Sequence, residues 1–349
     1  MLSRRESLLD WNWESLRDLL TSWGEPSFRV EQVWRWVYRS LARDFEGMRN
    51  LPATLRARLA ERFHLEALSL LMDTPSADGE TRKLLFRLSD GQTIETVLMR
   101  YERRHTVCIS TQVGCAMGCP FCATGQGGFN RNLTAGEIVA QVLFAARAFR
   151  EDGAVLSNVV MMGMGEPLAN YEATLTAVRR LMDERGLNMG GRRFTISTVG
   201  IVPGIRRLSN EGLPVALAVS LHAPNDALRD ELVPINRHYP LGQLVPACNE
   251  YVAQTGRRVT FEYALIDEMN DLLEHAHQLA DLLRGLRCHV NLIPLNPTSG
   301  SPYKASSPAR VQTFHGALKR LHVPTTVRLR RGIDIQAGCG QLRSQVHGT

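Results

Sequence analysis

The sequence predicts an α/β protein in which strands of a parallel sheet alternate with helices, preceded by a small N-terminal helical domain and a connecting β-hairpin. The first 100 residues place apolar side chains at helical spacing, residues 83–98 form two β-rich runs about a tight turn, and strand-like and helix-like runs alternate beyond residue 104. A repeated strand-helix order folds into a parallel sheet with right-handed crossovers. We therefore divide the chain into residues 1–100, the N-terminal domain, and residues 101–349.

The N-terminal domain contains three predicted helices. Apolar residues recur at near-helical spacing over 8–20, 29–40 and 52–63. Tryptophans that alternate with arginines, such as Trp34 and Trp36, are able to stack on RNA bases. A three-helix core explains these tryptophans better and leaves the arginines free for phosphate.

The connecting β-hairpin is predicted where two β-rich runs flank Asp90-Gly91. The Asp-Gly pair is typical of tight hairpin turns. Glu95 lies in the second strand of this hairpin. The strand pattern by itself indicates a solvent-exposed carboxylate at this position.

The region beyond residue 104 supplies the strands and helices of the predicted sheet. The strands are 107–110, 158–162, 193–198, 215–221, 259–265, 289–294 and 326–329, and the helices are 135–149, 173–184, 241–254, 272–283 and 308–321. In parallel α/β barrels, functional residues lie at the carboxyl ends of the strands. We expect the functional site of this chain at the same edge.

Three cysteines form the most specific motif, C-x3-C-x2-C, at Cys115, Cys119 and Cys122. Three thiols from one loop can hold a four-iron cluster and leave one iron without a protein ligand, open to chemistry. A zinc site requires a fourth cysteine or histidine at ligand spacing, and none follows closely. A redox pair of Cys119 and Cys122 leaves Cys115 unexplained, so the cluster is the favoured interpretation.

Composition limits the class of protein. The 349 residues carry 41 Lys and Arg against 35 Asp and Glu, and the net charge of +6 suits a polyanionic partner without requiring one. No apolar run approaches the roughly 20 residues of a membrane span, and the N-terminus lacks the apolar core of a secretory signal. We expect a cytoplasmic protein with no membrane partner, whose seven cysteines are metal ligands or catalytic thiols rather than a disulfide framework.

The cysteine motif resembles the signature of the radical S-adenosylmethionine (SAM) superfamily. The longer run from Cys108 to Cys115, continued by residues 128–133, resembles the dual-specificity 23S rRNA and tRNA adenine-C2 methyltransferases and relatives that methylate adenine C8. This similarity extends over residues 28–342. It implies a partial (βα)6 barrel, a 4Fe-4S cluster held by the three motif cysteines, and SAM bound at the open iron, where reduction yields a 5'-deoxyadenosyl radical.

The resemblance also implies a set of SAM contacts. A glycine-rich turn after the second barrel strand lets the backbone approach a ligand, and its carboxylate is able to accept from an ammonium group. A lone histidine such as His222 is more often structural. The residues that match the family's SAM contacts are Gly165, Glu166, Ser197, Ser220, Leu221, His222 and Asn296.

Two further cysteines match the family's catalytic pair. Read without the resemblance, Cys108 is a small buried strand residue and Cys339 an incidental thiol between glycines, in the same category as Cys248 and Cys288. By resemblance, one SAM methylates Cys339, and a radical from a second SAM activates that methyl group for addition to adenine. Cys108 then resolves the RNA adduct through a transient disulfide, and Glu95 matches the family's proton acceptor.

The implied substrates are an adenine of 23S rRNA and an adenine beside the tRNA anticodon, flipped out of its stack. The implied partners include an electron donor for the cluster, and we expect a monomer. The C8 methyltransferases share every cysteine named here, so motifs do not separate the two regiochemistries. A non-catalytic iron-sulfur protein that binds RNA or senses redox state has no need of Cys108, Cys339 and the SAM contacts together. Arg328, Arg330 and Arg331 suit phosphate binding and a solvated strand face equally.

Overall fold

The computed structural model describes residues 5–298, 301–328 and 330–343. In chain order, the strands and helices are β1 Glu6–Ser7, α1 Trp13–Ser22, α2 Phe28–Arg35, α3 Ala53–Arg62, β2 Phe63–His64, β3 Ser69–Pro75, β4 Thr81–Arg87, β5 Thr93–Tyr101, β6 Arg104–Cys108, β7 Gln112–Gly114, α4 Ala123–Gln126, β8 Phe129–Asn132, α5 Ala135–Glu151, β9 Asn158–Met161, α6 Tyr171–Met182, β10 Phe194–Thr198, α7 Val202–Ser209, β11 Ala216–Ser220, α8 Asp226–Leu232, α9 Leu241–Thr255, β12 Val259–Leu265, α10 Leu273–Leu282, β13 Cys288–Pro294, α11 Pro308–Arg320 and β14 Thr325–Val327. A π-helical turn, Trp36–Ser40, continues α2 to the end of the predicted helix.

Ten strands form one sheet with the order β14-β13-β12-β11-β10-β9-β6-β5-β4-β3. The strands from β14 to β6 in this order pair in parallel. Six of these strands, all except β14, are followed by a helix, which confirms the predicted partial (βα)6 barrel. In the described part of the chain no ladder joins β14 to β3, so the barrel is open on one side.

The predicted barrel strands agree with the structure to within a few residues. The largest difference is the first strand, which ends at Cys108 because the chain leaves the sheet there toward the cysteine loop. Leu329, the predicted end of the last strand, lies outside the described residues. Strand β3 has no sequence prediction, since it is an edge strand exposed on both faces, with Leu70 and Met72 43% and 48% exposed.

The predicted hairpin is present and extends the barrel sheet. Strand β4 pairs antiparallel with β5, and β5 pairs antiparallel with β6, where Val97 lies opposite Cys108. One buried core runs from the N-terminal helices through this hairpin into the barrel. The division of the chain at residue 100 stays a prediction.

Helix α5 connects the two parts of the molecule. Its N-terminus carries a capping box formed by Thr134 and Glu137. The Gly136 N–H donates to Asp10 Oδ1 at 2.8 Å, which joins the helix to the N-terminal domain. Most of α5 is buried because it packs between that domain and the sheet. Among the described helices, none is long and apolar enough to cross a lipid bilayer.

Candidate active site

A cavity opens at the carboxyl ends of the parallel strands. Its wall contains the predicted residues Cys115, Cys119, Cys122, Gly165, Glu166, Ser197, Ser220, His222, Asn296 and Cys339. Leu221 is the one predicted SAM contact outside the described lining, and it is fully buried behind its neighbours. Residues from distant segments meet here because the carboxyl ends of parallel strands share one edge of the sheet.

The cysteine loop is closed at its base by two glycines of the β7–β8 hairpin. Gly114 has a φ of +76°, and a Cβ at this position would lie 2.0 Å from the carbonyl oxygen of Gly128. The Cys115 N–H donates to the same oxygen at 2.8 Å. At the other end, the Cys122 N–H donates to the Cys119 carbonyl at 3.1 Å. The backbone hydrogen bonds therefore fix the path of the loop that carries the three thiols.

Glu166 lies in the glycine-rich turn after β9 and is buried. Its Oε1 accepts from the Leu168 N–H at 3.0 Å, and its Oε2 accepts from the Val199 N–H at 2.8 Å. Burial raises the pKa of Glu166 to about 7, although the hydrogen bonds from Val199 and Thr198 lower it. The side chain links the loops after β9 and β10, and with Leu168, Val199 and Thr198 as donors its two oxygens keep one further lone pair for a donor in the cavity.

Gly165→Ala is expected to destabilise the protein. Gly165 has a φ of +99°, and an added Cβ would lie 2.5 Å from the Gln112 Cβ. Strain and overpacking together predict a loss of about 3 kcal/mol in the free energy of unfolding, measured by urea titration. Gly212→Ala is the matched control, because Gly212 has a φ of +65° with no atom within 4 Å of the added Cβ. Equal losses of unfolding free energy in the two variants would contradict the close approach of a Cβ at residue 165 to Gln112.

Glu166→Gln is expected to change the pH dependence of stability. The pKa of Glu166 rises on folding from its ordinary value of 4.5 to about 7. The native state therefore binds a proton in this window that the unfolded state has released, so the free energy of unfolding falls as pH rises through it. Urea titrations at pH 5 and pH 8 are expected to show a drop larger by about 2.5 kcal/mol in the wild type than in Glu166→Gln. Parallel pH profiles would contradict the raised pKa.

His222 follows β11 in a left-handed backbone conformation, with a φ of 59°. Its Nδ1 accepts from the Ala264 N–H at 3.0 Å, and its ring packs edge-on against Phe121 at 5.0 Å. Burial, together with the charge of Arg229, lowers the pKa of His222 to about 3. The imidazole is therefore neutral at physiological pH, with its proton on Nε2 as a hydrogen-bond donor.

The C-terminal segment, residues 336–343, lies against the cysteine loop and the loop after β13. The Ala123 N–H donates to the Gly340 carbonyl at 2.7 Å. Asn296 Nδ2 donates to the Cys339 carbonyl at 3.2 Å. These backbone contacts hold Cys339 in the wall of the cavity without engaging its sulfur.

A second cavity adjoins the first, and Cys339 and Arg328 line both. Cys108, at the end of β6, lines the second cavity only, as far as the described residues show. Burial raises the pKa of Cys108 to about 12, with a further rise from Cys339 and an opposing effect of Arg328. The structure thus brings together the two cysteines that the resemblance pairs, although they are far apart in the sequence.

Arg328 lies beside this cysteine pair in the wall of the second cavity, which Arg330 and Arg331 line as well. Arg328 is half-buried, which argues against a solvated strand face, while phosphate binding stays a prediction. The pKa of Arg328 is raised, chiefly by the negative charge of a Cys339 thiolate and against the effect of burial. Arg331 instead lies over the Tyr101 ring at 4.5 Å and donates to the Arg100 carbonyl at 2.9 Å. Arg328 follows directly on β14, so its position at a strand end is the signal in the sequence that indicates a functional residue.

Comparison with known proteins gives two family matches. Residues 6–65 match the ribosomal RNA large subunit methyltransferase N-terminal domain, and residues 109–283 match the radical SAM superfamily. The dual-specificity RNA methyltransferase RlmN 1 of Myxococcus xanthus is 53% identical to this chain, over 97% of this chain and 95% of the relative. This chain belongs to the RlmN family. The protein is therefore an enzyme of the radical SAM superfamily, as predicted.

Other relatives agree with membership of the RlmN family. The probable dual-specificity RNA methyltransferase RlmN of Chloroflexus aurantiacus is 51% identical, over 96% of this chain and 92% of the relative. The crystal structure of a radical SAM methyltransferase from Sphaerobacter thermophilus is 56% identical and superposes with a TM-score of 0.96, over 97% of this chain and all of the other. The predicted fold class is confirmed by this superposition.

The cofactors of the RlmN family, a 4Fe-4S cluster and SAM, fit the residues of the first cavity. In the part of the chain that the structure describes, no set of three or more His, Cys, Asp or Glu side chains is spaced for a single metal ion. The three motif thiols lie on one loop in the wall of the first cavity, as a four-iron cluster with three protein ligands requires. Asn296 Oδ1 and Glu262 Oε2 are buried without a partner among the described residues, and both side chains line the cavity. The amino and hydroxyl groups of SAM are donors that would satisfy them.

Glu95, the residue matched to the RlmN family's proton acceptor, is buried at 4% exposure, so the expectation of an exposed carboxylate from strand pattern alone is wrong. Its Oε1 lies 3.3 Å from Lys83 Nζ, and its Oε2 accepts from the Arg343 N–H at 2.7 Å. Glu95 is absent from the described lining of both cavities, but it lies two residues before Val97, which lines the second. Its role as proton acceptor stays a prediction.

Glu262 is a functional candidate that sequence reasoning missed. It lies inside β12 and is buried at 5% exposure, with Asn291 Nδ2 donating to its Oε1 at 3.3 Å. Burial raises the pKa of Glu262, against the effects of Arg328 and Asn291. The signal in the sequence is a single carboxylate within an otherwise apolar strand, which is costly to bury without a function or a partner.

Proposed function

We propose that this protein methylates C2 of an adenine in 23S rRNA and of an adenine beside the tRNA anticodon, through an S-methylcysteine at Cys339. The observation that carries the proposal is the position of Cys339 in the walls of two adjoining cavities. One cavity contains the three motif cysteines, and the other contains Cys108. A thiol in this position is able to accept a methyl group on one side and to meet a second thiol on the other. The names of the relatives support RNA as the substrate.

The first step is methylation of Cys339. The C2 carbon of adenine is electrophilic and carries no acidic proton, so the base itself cannot attack a methyl donor. When bound, the cluster and SAM supply a transferable methyl group and a radical able to remove a hydrogen atom. Cys339 would lose its proton and its sulfur would form the bond to the methyl carbon, while the bond from that carbon to the sulfonium sulfur of SAM breaks and S-adenosylhomocysteine leaves. The backbone contacts of residues 336–343 hold Cys339 in the cavity wall.

The last step is release of the RNA by Cys108. After the methyl carbon has joined the adenine, the adduct carries one unpaired electron that the bound cluster would accept, and Glu95 is the candidate base for the ring proton. The Cys108 sulfur then bonds to the Cys339 sulfur while the bond from that sulfur to carbon breaks, and the carbon keeps the electron pair and takes up a proton. Because burial raises the pKa of Cys108 to about 12, its thiolate needs the nearby Arg328 cation, which lowers that pKa.

The N-terminal domain is the proposed RNA-binding part, supported by the family match of residues 6–65. Trp34 is buried and Trp36 is half-buried, whereas Arg35 of the same helical region is exposed and pairs with the exposed Glu31. Arg39 instead donates to the carbonyls of Glu184 and Gly186. Exposed arginines suit contacts to phosphate, which position an RNA without reading its bases. The target adenine must leave its stack to reach the barrel mouth.

The remaining partners follow from the chemistry. The cluster requires a one-electron donor, and the disulfide between Cys108 and Cys339 requires two electrons from a reductant before the next cycle. We infer an external electron donor for the cluster and a cytoplasmic location, where rRNA and tRNA are found. The monomeric state stays a prediction.

The identity of the methylated carbon is the test of this proposal. The reconstituted protein is incubated without oxygen with SAM, a reductant and an rRNA fragment, and the digested nucleosides are compared by mass with 2-methyladenosine and 8-methyladenosine standards. We expect 2-methyladenosine, with the same reaction lacking reductant as the control. An 8-methyladenosine product would replace the proposed regiochemistry, and formation of 5'-deoxyadenosine without either product would overturn the proposed substrate.

A further inference from the structure

Arg229, on α8, is a fully buried guanidinium that joins two strand ends of the active site. Its Nη2 donates to the Val199 carbonyl at 2.6 Å and to the Ser220 carbonyl at 3.2 Å, and its Nε donates to the Leu221 carbonyl at 3.2 Å. Val199 follows β10, whereas Ser220 ends β11. The planar guanidinium of Arg229 thus bridges the ends of two neighbouring strands.

The predicted SAM contacts Ser197 and Ser220 lie at the bridged strand ends, and His222 follows the second of them. Arg229 itself is absent from the described lining of the cavity. The Val199 backbone is held at both of its polar groups, because its N–H donates to Glu166 Oε2 at 2.8 Å and its carbonyl accepts from Arg229. A shift of the guanidinium would therefore move the cavity wall.

The charge of Arg229 has no carboxylate within ion-pair distance among the described residues. Its Nη1 donates to Asn236 Oδ1 at 2.7 Å, and Asn236 Nδ2 donates in turn to Asp226 Oδ1 at 3.0 Å and Asp230 Oδ1 at 2.7 Å. A neutral amide therefore separates the cation from these acids. Burial lowers the pKa of Arg229 to about 10, with an opposing effect of Cys119, so the guanidinium is charged at neutral pH.

The C-terminal end of α8 packs against the cysteine loop. Leu232 and Val233 belong to the same buried apolar cluster as Cys119 and Phe121. A charge in such surroundings is weakly screened. Reduction adds negative charge to a thiolate-bound cluster, and a nearby cation stabilises that added charge.

We propose that Arg229 is a positioning residue of the cofactor site, which holds the strand ends that contact SAM and raises the reduction potential of the cluster through its buried charge. This role rests on the proposed function, since it requires the cluster and SAM in the first cavity. Arg229 acts through Val199, Ser220 and Leu221 on the one hand and through the electrostatic field at Cys119 on the other.

Two substitutions separate position from charge. Arg229→Lys keeps the charge but cannot reach three carbonyls in one plane, whereas Arg229→Gln removes the charge as well. In anaerobically reconstituted protein, we expect the Kd for SAM to rise about tenfold in both variants, from the loss of hydrogen bonds to a charged group. The reduction potential, followed by electron paramagnetic resonance during a redox titration, is expected to stay near wild type in Arg229→Lys and to become more negative in Arg229→Gln.

Arg180 supplies the matched control. It is a second buried arginine, 7% exposed, whose Nη1 donates to the Leu9 carbonyl, and it is absent from the described lining of both cavities. Arg180→Lys and Arg180→Gln report the general cost of changing a buried arginine, and we expect both to keep the wild-type SAM affinity and potential.

Three outcomes would overturn the proposed role of Arg229. If Arg229→Lys binds SAM with wild-type affinity, Arg229 does not position the SAM contacts, and this conclusion holds even if Arg229→Gln does not fold. A more negative reduction potential in Arg229→Lys, or an unchanged reduction potential in folded Arg229→Gln, would refute the electrostatic role. Wild-type protein that binds neither cluster nor SAM would overturn the proposed function instead, so the two failures are distinguishable.

Discussion

Cys108→Ala is expected to leave the RNA covalently attached to Cys339. Methyl loading and addition to the adenine do not use the Cys108 sulfur, so both steps proceed in this variant. Release requires a thiol beside Cys339, and Cys108 lines the same cavity. Cys248 and Cys288 are outside the described lining of both cavities and cannot replace it.

Denaturing electrophoresis with labelled RNA measures this outcome. We expect a slow-migrating adduct near one RNA per active chain, and a Cys339 peptide that carries a methylene-linked adenosine after nuclease digestion. Cys288→Ala is the matched control, because Cys108 and Cys288 are both strand cysteines 8% exposed. The control is expected to turn over with no adduct. Turnover of Cys108→Ala at the wild-type rate would refute the role of Cys108 in releasing the RNA.

Cys339→Ala is expected to lose methyl loading, adduct and product together. The sulfur of Cys339 is the atom that receives the methyl group, and alanine offers no nucleophile in its place. The fold is expected to remain intact, because the segment is held through its backbone. The Cys339 carbonyl accepts from Asn296, and the Gly340 carbonyl accepts from the Ala123 N–H. Alanine preserves both backbone contacts.

SAM with a labelled methyl group gives the readout for this second prediction. Label is expected on Cys339 of the wild-type protein and of Cys108→Ala, and on no residue of Cys339→Ala. Iron content and the midpoint of urea unfolding serve as the control for folding, and both should match the wild type. Product formation by Cys339→Ala, or label retained on another residue, would refute the role of Cys339 as methyl carrier.

The sequence by itself determined the elements whose pattern is local. Strand β12, Val259–Leu265, has the predicted bounds, and helix α9, Leu241–Thr255, ends one residue beyond the prediction. The Asp90-Gly91 turn and the three-cysteine loop are also local, because a turn type and the reach of a single loop depend on adjacent residues alone. Short or edge elements lack such a pattern, so β3 and α8 had no prediction.

Only the tertiary structure decided which side chains share an environment. The strand pattern indicated an exposed Glu95, yet pairing of β5 between β4 and β6 buries it. Arg229 contacts carbonyls of two other segments, and Arg328 lies beside Cys339. Both arrangements depend on strand order rather than on spacing along the chain. Burial and charge at these positions are set by the neighbours that strand order and register bring together. For that reason the sequence determined the residue types of the site, and the fold determined their protonation, partners and separation from water.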